Sequence, residues 1–276
     1  MTANLSVIIP ANNEERYIHA CLSALLASEG PGTLQVIVVA NGCTDQTVSL
    51  SMARGAAFAA RGWRLEVLDL PGLGKMGALN AGDQAAAYPA RVYLDADVVV
   101  SPPLLAQLGE ALDDDRALYV SGQPHVTAQG WLSRAFARFW VQVPFVANGV
   151  PGFGLFAVNG AGRGRWDKFP EIISDDTYVR VHFAPDERIK VAASYDWPLV
   201  EGFETLVRVR RRQDQGVAEL ERLIPDKMAN EAKDTPPRGW LMQRALADPM
   251  AFVVYAAVKL AVRLGWARQD GWVRGR

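Results

Sequence analysis

Two aspartates, Asp95 and Asp97, directly follow a strongly apolar run of the sequence. Carboxylates at such a position are costly to desolvate unless a positive charge neutralises them. A hard divalent cation supplies that charge, because Mg²⁺ or Mn²⁺ takes one or two carboxylates and fills its other positions with water and diphosphate oxygens. The pair therefore predicts a divalent-metal site. The alternative for an isolated Asp-x-Asp is a solvated turn after a strand.

Three other polar loops follow apolar runs in the first hundred residues. The first holds Pro10, Asn12 and Glu14 and the second holds Asn41, and both carry groups that could contact a nucleotide base or ribose. Taken singly, each of these two loops is equally consistent with a helix-capping turn. The third loop, GLGK, offers glycines for close backbone approach and places Lys75 ahead of a helix N-terminus, an arrangement suited to phosphate.

The elements that must position these loops alternate along the chain. Short apolar runs predict β-strands over 5–10, 35–40, 65–70 and 91–97. The stretches between them predict helices over 14–27, 46–61 and 75–87. This alternation is typical of βαβ units and a mainly parallel mixed sheet flanked by helices, so the predicted fold class is α/β. Ligands of such sheets bind beyond the carboxyl ends of the strands, where the four loops are expected to meet.

The later part of the chain is less regular. Helices are predicted over 131–142 and from residue 174 onward, and strands over 117–122 and 154–160. The last third is predicted to be mostly helical, with a loop over 229–239.

The order and spacing of these motifs resemble glycosyltransferase family 2, the inverting, metal-dependent sugar-nucleotide enzymes with the GT-A fold. The matching segments are SVIIPANNEE, VVANGCTDQT, GLGKMGALNAG, YLDADVVV and SDDTYVRVHF, which together span residues 5–183. Each motif alone is a weak signal, and their combination in this order is specific.

The resemblance also implies roles for individual residues. It implies that the nucleotide pocket is lined by Pro10, Asn12 and Glu14. Asn41 stands where the family often has an Asp near the base. Asp95 would lie near the ribose and diphosphate, and Asp97 would bind the metal.

A second acidic pair, Asp175 and Asp176, begins the predicted helix after residue 174. An acceptor hydroxyl must lose a proton while it attacks the anomeric carbon, so one ionised carboxylate is needed on the face opposite the leaving diphosphate. Asp176 matches the general base of the family, and Asp175 beside it would raise its pKa. In the purely structural alternative, both acids favour the first turn of a helix that Ser174 caps.

Two arginines, Arg211 and Arg212, lie where many family members have an Arg- or Gln-x-x-Arg-Trp element that closes over the donor. A guanidinium matches phosphate geometry, so both are candidates for contact with the diphosphate. The Trp of that pattern is Gln213 here. The alternative is a solvated or membrane-facing basic stripe.

Overall charge and cysteine content exclude several classes of protein. The chain has 276 residues, of which 29 are basic and 30 acidic, so bulk nucleic-acid binding is not expected. Two cysteines, Cys21 and Cys43, are too few for a disulfide framework and too far apart for a zinc site. The N-terminal residues lack the features of a signal peptide, so the expected location is cytoplasmic.

The C-terminal region is the basic part of the chain. Residues 203–276 contain 14 basic and 9 acidic side chains. In the last predicted helix, Tyr255, Lys259 and Arg263 recur every four residues among apolar side chains. With Arg268, Arg274 and Arg276 further on, residues 247–276 are consistent with a helix in the interface of an anionic membrane, on its inner face, and equally with an ordinary core-packing helix.

The predicted organisation is a GT-A catalytic domain over 1–222 and a helical extension over 223–276. Residues 1–100 would bind the nucleotide sugar, and residues 101–222 would form the acceptor half. The predicted reaction is inverting, Mn²⁺- or Mg²⁺-dependent transfer of a sugar from a UDP- or GDP-sugar to a hydroxyl of a saccharide or lipid-linked acceptor, in polysaccharide, glycolipid or cell-envelope assembly. The alternatives are a retaining GT-A transferase and a non-catalytic scaffold subunit of a polysaccharide assembly complex.

Overall fold

The computed structural model describes residues 2–231 and 236–266 of the chain. Within those ranges the strands are β1 (Leu5–Ala11), β2 (Leu34–Asn41), β3 (Arg64–Leu70), β4 (Ala90–Leu94), β5 (Val99–Val100), β6 (Tyr119–Thr127), β7 (Leu155–Val158) and β8 (Arg188–Pro198). The helices up to residue 150 are α1 (Ile18–Ala27), α2 (Thr47–Met52), α3 (Gly55–Ala60), α4 (Gly74–Ala85), α5 (Leu104–Ala111), α6 (Trp131–Trp140) and α7 (Pro144–Ala147). The later helices are α8 (Gly160–Arg163), α9 (Asp175–Arg180), α10 (Phe203–Leu223), α11 (Pro225–Met228), α12 (Trp240–Ala247) and α13 (Pro249–Arg263).

The strands form one mixed sheet in the order β3-β2-β1-β4-β7-β6-β8-β5. β1 pairs in parallel with β2 and β4, and β2 pairs in parallel with β3. β7 runs antiparallel to β4 and β6, and β5 runs antiparallel to β8. The part of the sheet built from β1, β2, β3 and β4 is therefore parallel, and these four strands end at one edge.

The core of the parallel part explains its apolar strands. Side chains of α1 and α5 join β1 and β2 in one buried cluster. On β1, Ile8 is also fully buried, and α4 comes so close to it that a Cβ at Gly82 would clash with its side chain. Strands covered in this way read as continuous apolar runs in the sequence.

Several element boundaries differ from the sequence-based expectation. The predicted helix over 46–61 is two helices, α2 and α3. The strand predicted over 91–97 ends at Leu94, because the chain turns at Asp95, whose carbonyl accepts a hydrogen bond from the Val98 amide (3.1 Å). The sequence reading missed β8, an 11-residue strand inside a region predicted to be mostly helical.

The chain divides into two compact units. The first comprises Met1–His125 and Gly152–Trp197, and the second comprises Val126–Pro151 and Pro198–Arg276. This division differs from the predicted boundary after residue 222, because α10 packs against α6 and α13 within the second unit. The assignment of a donor half and an acceptor half stays a prediction.

The second unit is helical and has an aromatic interior. Phe139 of α6 stacks on Tyr255 of α13 with ring centroids 4.6 Å apart, and Phe252 and Trp240 also contact Phe139. Within the described part of the chain, every helix is too short or too polar to cross a membrane.

Candidate active site

The loops after β1 and β2 are tied together by side-chain hydrogen bonds. Asn12 Nδ2 donates to the carbonyl oxygens of Asn41 (2.6 Å) and Gly42 (3.1 Å). Asn13 Oδ1 accepts a hydrogen bond from the Thr44 amide at 2.7 Å. Asn12, which is predicted to contact the sugar-nucleotide donor, therefore also holds the backbone of the loop after β2 in place.

The loop after β2 is fastened in turn to the loop before α4. The buried Asn41 side chain donates from Nδ2 to the Gly74 carbonyl (2.8 Å) and accepts at Oδ1 from the Leu73 amide (2.8 Å). Gly42 has φ 68°, and a Cβ on it would lie 2.9 Å from Gly72 Cα. Glycine is required at this contact because another residue would be strained and crowded. Asn41 thus holds the glycine-containing loop before α4 in place. Its position near the nucleotide base stays a prediction.

Lys75 brings the two acidic pairs together. Its Nζ lies 3.0 Å from Asp95 Oδ1 and 3.0 Å from Asp175 Oδ1. Burial would lower the pKa of Lys75, but the carboxylates of Asp175 and Asp95 outweigh burial and raise this pKa above its usual value. The Lys75 and Asp95 side chains are 34% and 36% exposed.

A second pair of contacts from α4 holds the segment that leads into α9. The Asn80 side chain donates to the Phe169 carbonyl (3.0 Å) and accepts from the Phe169 amide (2.8 Å). Ser174 occupies the N-cap position of α9, as expected, and its side chain makes no capping hydrogen bond. The start of α9 is positioned from α4 rather than by its own cap.

Asp176 has the properties expected of a base. Burial, followed by the neighbouring charge of Asp175, raises its pKa to about 6. Arg180, the Thr177 amide and Lys75 act in the opposite direction, and the Thr177 amide donates to Asp176 Oδ1 at 2.6 Å. Near neutral pH this carboxyl is mostly ionised and more basic than an ordinary aspartate.

The acidic turn after β4 fits a metal that arrives with a diphosphate. Asp97 is half-buried two residues beyond Asp95. Across residues 2–231 and 236–266, no group of three or more His, Cys, Asp or Glu side chains is arranged to hold a metal ion. A protein cage is therefore not available there. One or two carboxylates supplemented by water and phosphate oxygens are the set that Mg²⁺ and Mn²⁺ accept.

The remaining predicted site residues are Pro10, Glu14, Arg211 and Arg212. Pro10 and Glu14 are half-buried at the end of β1 and just after it, and the Glu14 amide donates to Thr47 Oγ1 (2.8 Å). In the second unit, Arg211 of α10 donates to the carbonyls of Trp266 (3.0 Å) and Val262 (3.3 Å) at the end of α13. Arg212 is half-buried on the same helix.

Sequence reasoning missed two residues that shape the site, Asn80 and Arg180. Arg180 is almost fully buried and lowers the pKa of Asp176. It follows Asp176 by four residues, and this spacing on a predicted helix is a recognised signal for an ion pair. Asn80 carried only the weak signal of a polar side chain in an otherwise small and apolar stretch.

The motifs of this site match a known family. The family described as Glycosyl transferase family 2 matches residues 6–163, which is more than half of the chain. The chain belongs to glycosyltransferase family 2. The matched region of this family includes all four loops and Asp97, and it ends before Asp175 and Asp176.

One curated relative is the dolichyl-phosphate beta-glucosyltransferase of Drosophila melanogaster. It is 30% identical over 148 residues, which are 49% of this chain. The same region is 45% of the relative, so the match spans less than half the length of that protein.

Two solved structures have a similar fold. The mannosyltransferase PcManGT of Pyrobaculum calidifontis, in complex with GDP-Man and Mn²⁺, matches with a TM-score of 0.59 at 23% identity, covering 97% of this chain and 77% of its own. S. aureus TarS, in complex with UDP, matches with a TM-score of 0.55 at 14% identity, covering 99% of this chain and 95% of its own. The predicted GT-A fold is confirmed.

Proposed function

We propose that this chain transfers a sugar, with inversion, from a nucleoside diphosphate donor to an acceptor hydroxyl, assisted by Mn²⁺ or Mg²⁺. The observation that carries this proposal is the bridge through Lys75 between Asp95 and Asp175. It joins the acidic turn suited to a metal and diphosphate to the pair that contains a carboxyl of raised pKa. These contacts support our proposal that one site combines the metal, the diphosphate and the base that displacement of a diphosphate requires.

On the donor side, Asp97 would hold the divalent cation, with Asp95 beside it. When bound, the cation offsets the negative charge that grows on the leaving diphosphate. Lys75 adds a protonated ammonium at the start of α4, where the diphosphate oxygens would compete with Asp95 for it. Pro10, Asn12, Glu14 and Asn41 would surround the nucleoside.

On the acceptor side, Asp176 takes the proton of the attacking hydroxyl. The acceptor oxygen bonds to the anomeric carbon as the bond to the diphosphate oxygen breaks, and the electron pair leaves with the diphosphate. Because the attacking oxygen enters on the face opposite the leaving group, the anomeric configuration inverts. The carboxylate of Asp175, which contacts Lys75, raises the pKa of Asp176.

The names of the relatives support the donor class. PcManGT was solved with GDP-Man and Mn²⁺, and the M. tuberculosis glucosyl-3-phosphoglycerate synthase with UDP and Mn²⁺. A UDP- or GDP-sugar is therefore our proposed donor, and we leave the sugar open. We propose a saccharide or lipid-linked acceptor in polysaccharide, glycolipid or cell-envelope assembly, and a cytoplasmic or peripheral membrane location.

The Drosophila relative favours a second candidate, in which the acceptor is a lipid phosphate. A phosphate monoester is largely ionised near neutral pH, so it can attack without a base. Transfer to a hydroxyl instead needs a carboxylate that takes its proton, and Asp176 is the candidate for that role.

A donor-turnover assay tests the proposal. The purified chain with Mn²⁺ is expected to transfer the sugar of one UDP- or GDP-sugar to an added acceptor, or slowly to water. The product, read by NMR before it equilibrates, is expected to have the anomeric configuration opposite to that of the donor. Retention would identify a retaining transferase. Donor binding without any turnover would identify a scaffold subunit.

A further inference from the structure

Exposed apolar side chains concentrate on α12, α13 and the residues just after them. Across the described part of the chain, eight of the thirteen exposed large apolar side chains lie between residues 241 and 266. They are Leu241, Met242, Leu246, Met250, Val253, Leu260, Leu264 and Trp266. Leu246 and Leu264, at 76% and 74% exposed, are more accessible than any other large apolar side chain in that set. Exposed apolar side chains concentrated in one part of a chain in this way are typical of an interaction site.

The helix α13 is apolar on two faces, and only one of them is covered. Ala251, Val258 and Ala261 are buried, and α13 packs against α6, α10 and α12. Met250, Val253, Leu260 and Leu264 recur at spacings of three, seven and four residues, so they share another face, which is open. We refer to these four residues as the α13 apolar face.

This surface differs from the stripe expected from the sequence. Tyr255 points away from the α13 apolar face and packs against Phe136 and Phe139 inside the second unit. Lys259 is half-buried and Arg263 is exposed beyond the edge of the apolar face. Arg268, Arg274 and Arg276 lie outside the described residues. The exposed surface of α13 is therefore mainly apolar, and Lys259 and Arg263 are the basic residues on the same helix.

The charged side chains in this part of the chain indicate what binds to the α13 apolar face. Within 236–266, the basic side chains are Arg238, Arg244, Lys259 and Arg263. The acidic side chain in this range, Asp248, binds Arg138 at 2.8 Å. A second copy of the chain would set these positive charges against each other, whereas anionic lipid headgroups would neutralise them. An apolar helix face flanked by basic residues is the pattern of a helix that lies in a membrane interface.

We infer that the α13 apolar face inserts into the interface of an anionic bilayer, with Arg263, which is exposed on the same helix, at the headgroups. The four apolar side chains supply burial in the acyl region, and the basic side chains supply the preference for negative lipid. This surface lies within the second unit and its assignment needs no sugar-transfer activity.

Vesicle co-sedimentation of the full chain tests the inference. The chain is expected to sediment with vesicles of phosphatidylcholine mixed with phosphatidylglycerol, and more weakly with phosphatidylcholine alone. The double variant Leu260→Gln/Leu264→Gln is expected to lose at least about tenfold in vesicle affinity, since two exposed leucines can no longer be buried in lipid. Added salt should weaken binding to the mixed vesicles only in part, because the apolar contribution is not screened.

The matched control is Met52→Gln/Leu223→Gln, which replaces two exposed apolar side chains elsewhere. It should sediment with the mixed vesicles as the wild type does, and far-ultraviolet circular dichroism should show both double variants folded. Equal loss of binding in the control, or no sedimentation of the wild type with either vesicle, overturns the inference. A concentration-dependent dimer that Leu260→Gln/Leu264→Gln disperses would assign the face to a second copy instead.

Discussion

Asp176→Asn is expected to abolish sugar transfer while leaving donor binding nearly intact. Asparagine has nearly the shape of aspartate but cannot take a proton from the acceptor hydroxyl. General-base assistance contributes about 10²–10⁴-fold to a rate, so a loss of this size is expected in kcat. The measurement is the initial transfer rate at saturating donor, set beside the donor Kd from calorimetry with Mn²⁺ present.

A matched surface variant controls for the loss of one acidic side chain. Asp186→Asn changes an exposed aspartate outside the site and should keep the wild-type rate. An Asp176→Asn enzyme that turned over as fast as the wild type would remove Asp176 from the reaction. It would also favour the lipid-phosphate acceptor, which needs no base.

The pH dependence of the wild type provides a second readout of the same residue. A base must be ionised to act, so the rate should fall as the pH drops through about 6, where Asp176 becomes protonated. Asp175→Asn removes a charge that raises the pKa of Asp176, and this acid limb should therefore move to lower pH. If the acid limb of the pH–rate profile did not move in Asp175→Asn, a group other than Asp176 would be responsible for it.

Asp97→Ala is expected to remove the metal-dependent part of donor binding. The described residues offer no cluster of three or more ligands, so the loss of one carboxylate takes away much of what the protein contributes to the metal. We expect the Mn²⁺-linked rise in Tm with UDP or GDP to disappear and the donor Kd to weaken by at least about tenfold.

The thermal-shift comparison carries its own control. Asp69→Ala removes an exposed aspartate at the end of β3, and it should show the same Mn²⁺-linked shift as the wild type. An undiminished shift in Asp97→Ala would place the metal elsewhere or make donor binding independent of it.

Strands β1, β2 and β4 were predictable because burial on both faces gives each of them a nearly continuous apolar sequence. The position of the loops followed from that, since parallel strands end at one edge. β8 was missed although Ile189, Val191, Ala193, Tyr195 and Trp197 alternate with more polar residues, which is a strand period. The surrounding sequence does not alternate between strand-like and helix-like segments. An isolated alternating run in such a region does not by itself distinguish a strand from a loop or a helix.

Pairings across long stretches of sequence were not predictable in the same way. The types of Lys75, Asp95 and Asp175 indicated phosphate, metal and base chemistry, but nothing local says that one ammonium lies 3.0 Å from both carboxylates. Asn41 is similar, because its amide hydrogen-bonds a loop more than thirty residues away. Such contacts depend on how loops pack, which residue type and spacing do not specify.

The helix α4 carries three of the contacts that build this site. Lys75 at its start faces the two carboxylates, Asn80 holds the segment before α9, and Gly82 rests on β1. One inserted or deleted residue between Lys75 and Gly82 would turn the ends of the helix by about 100° relative to each other. A change of length inside α4 between these positions would therefore separate at least one of the three side chains from its partner.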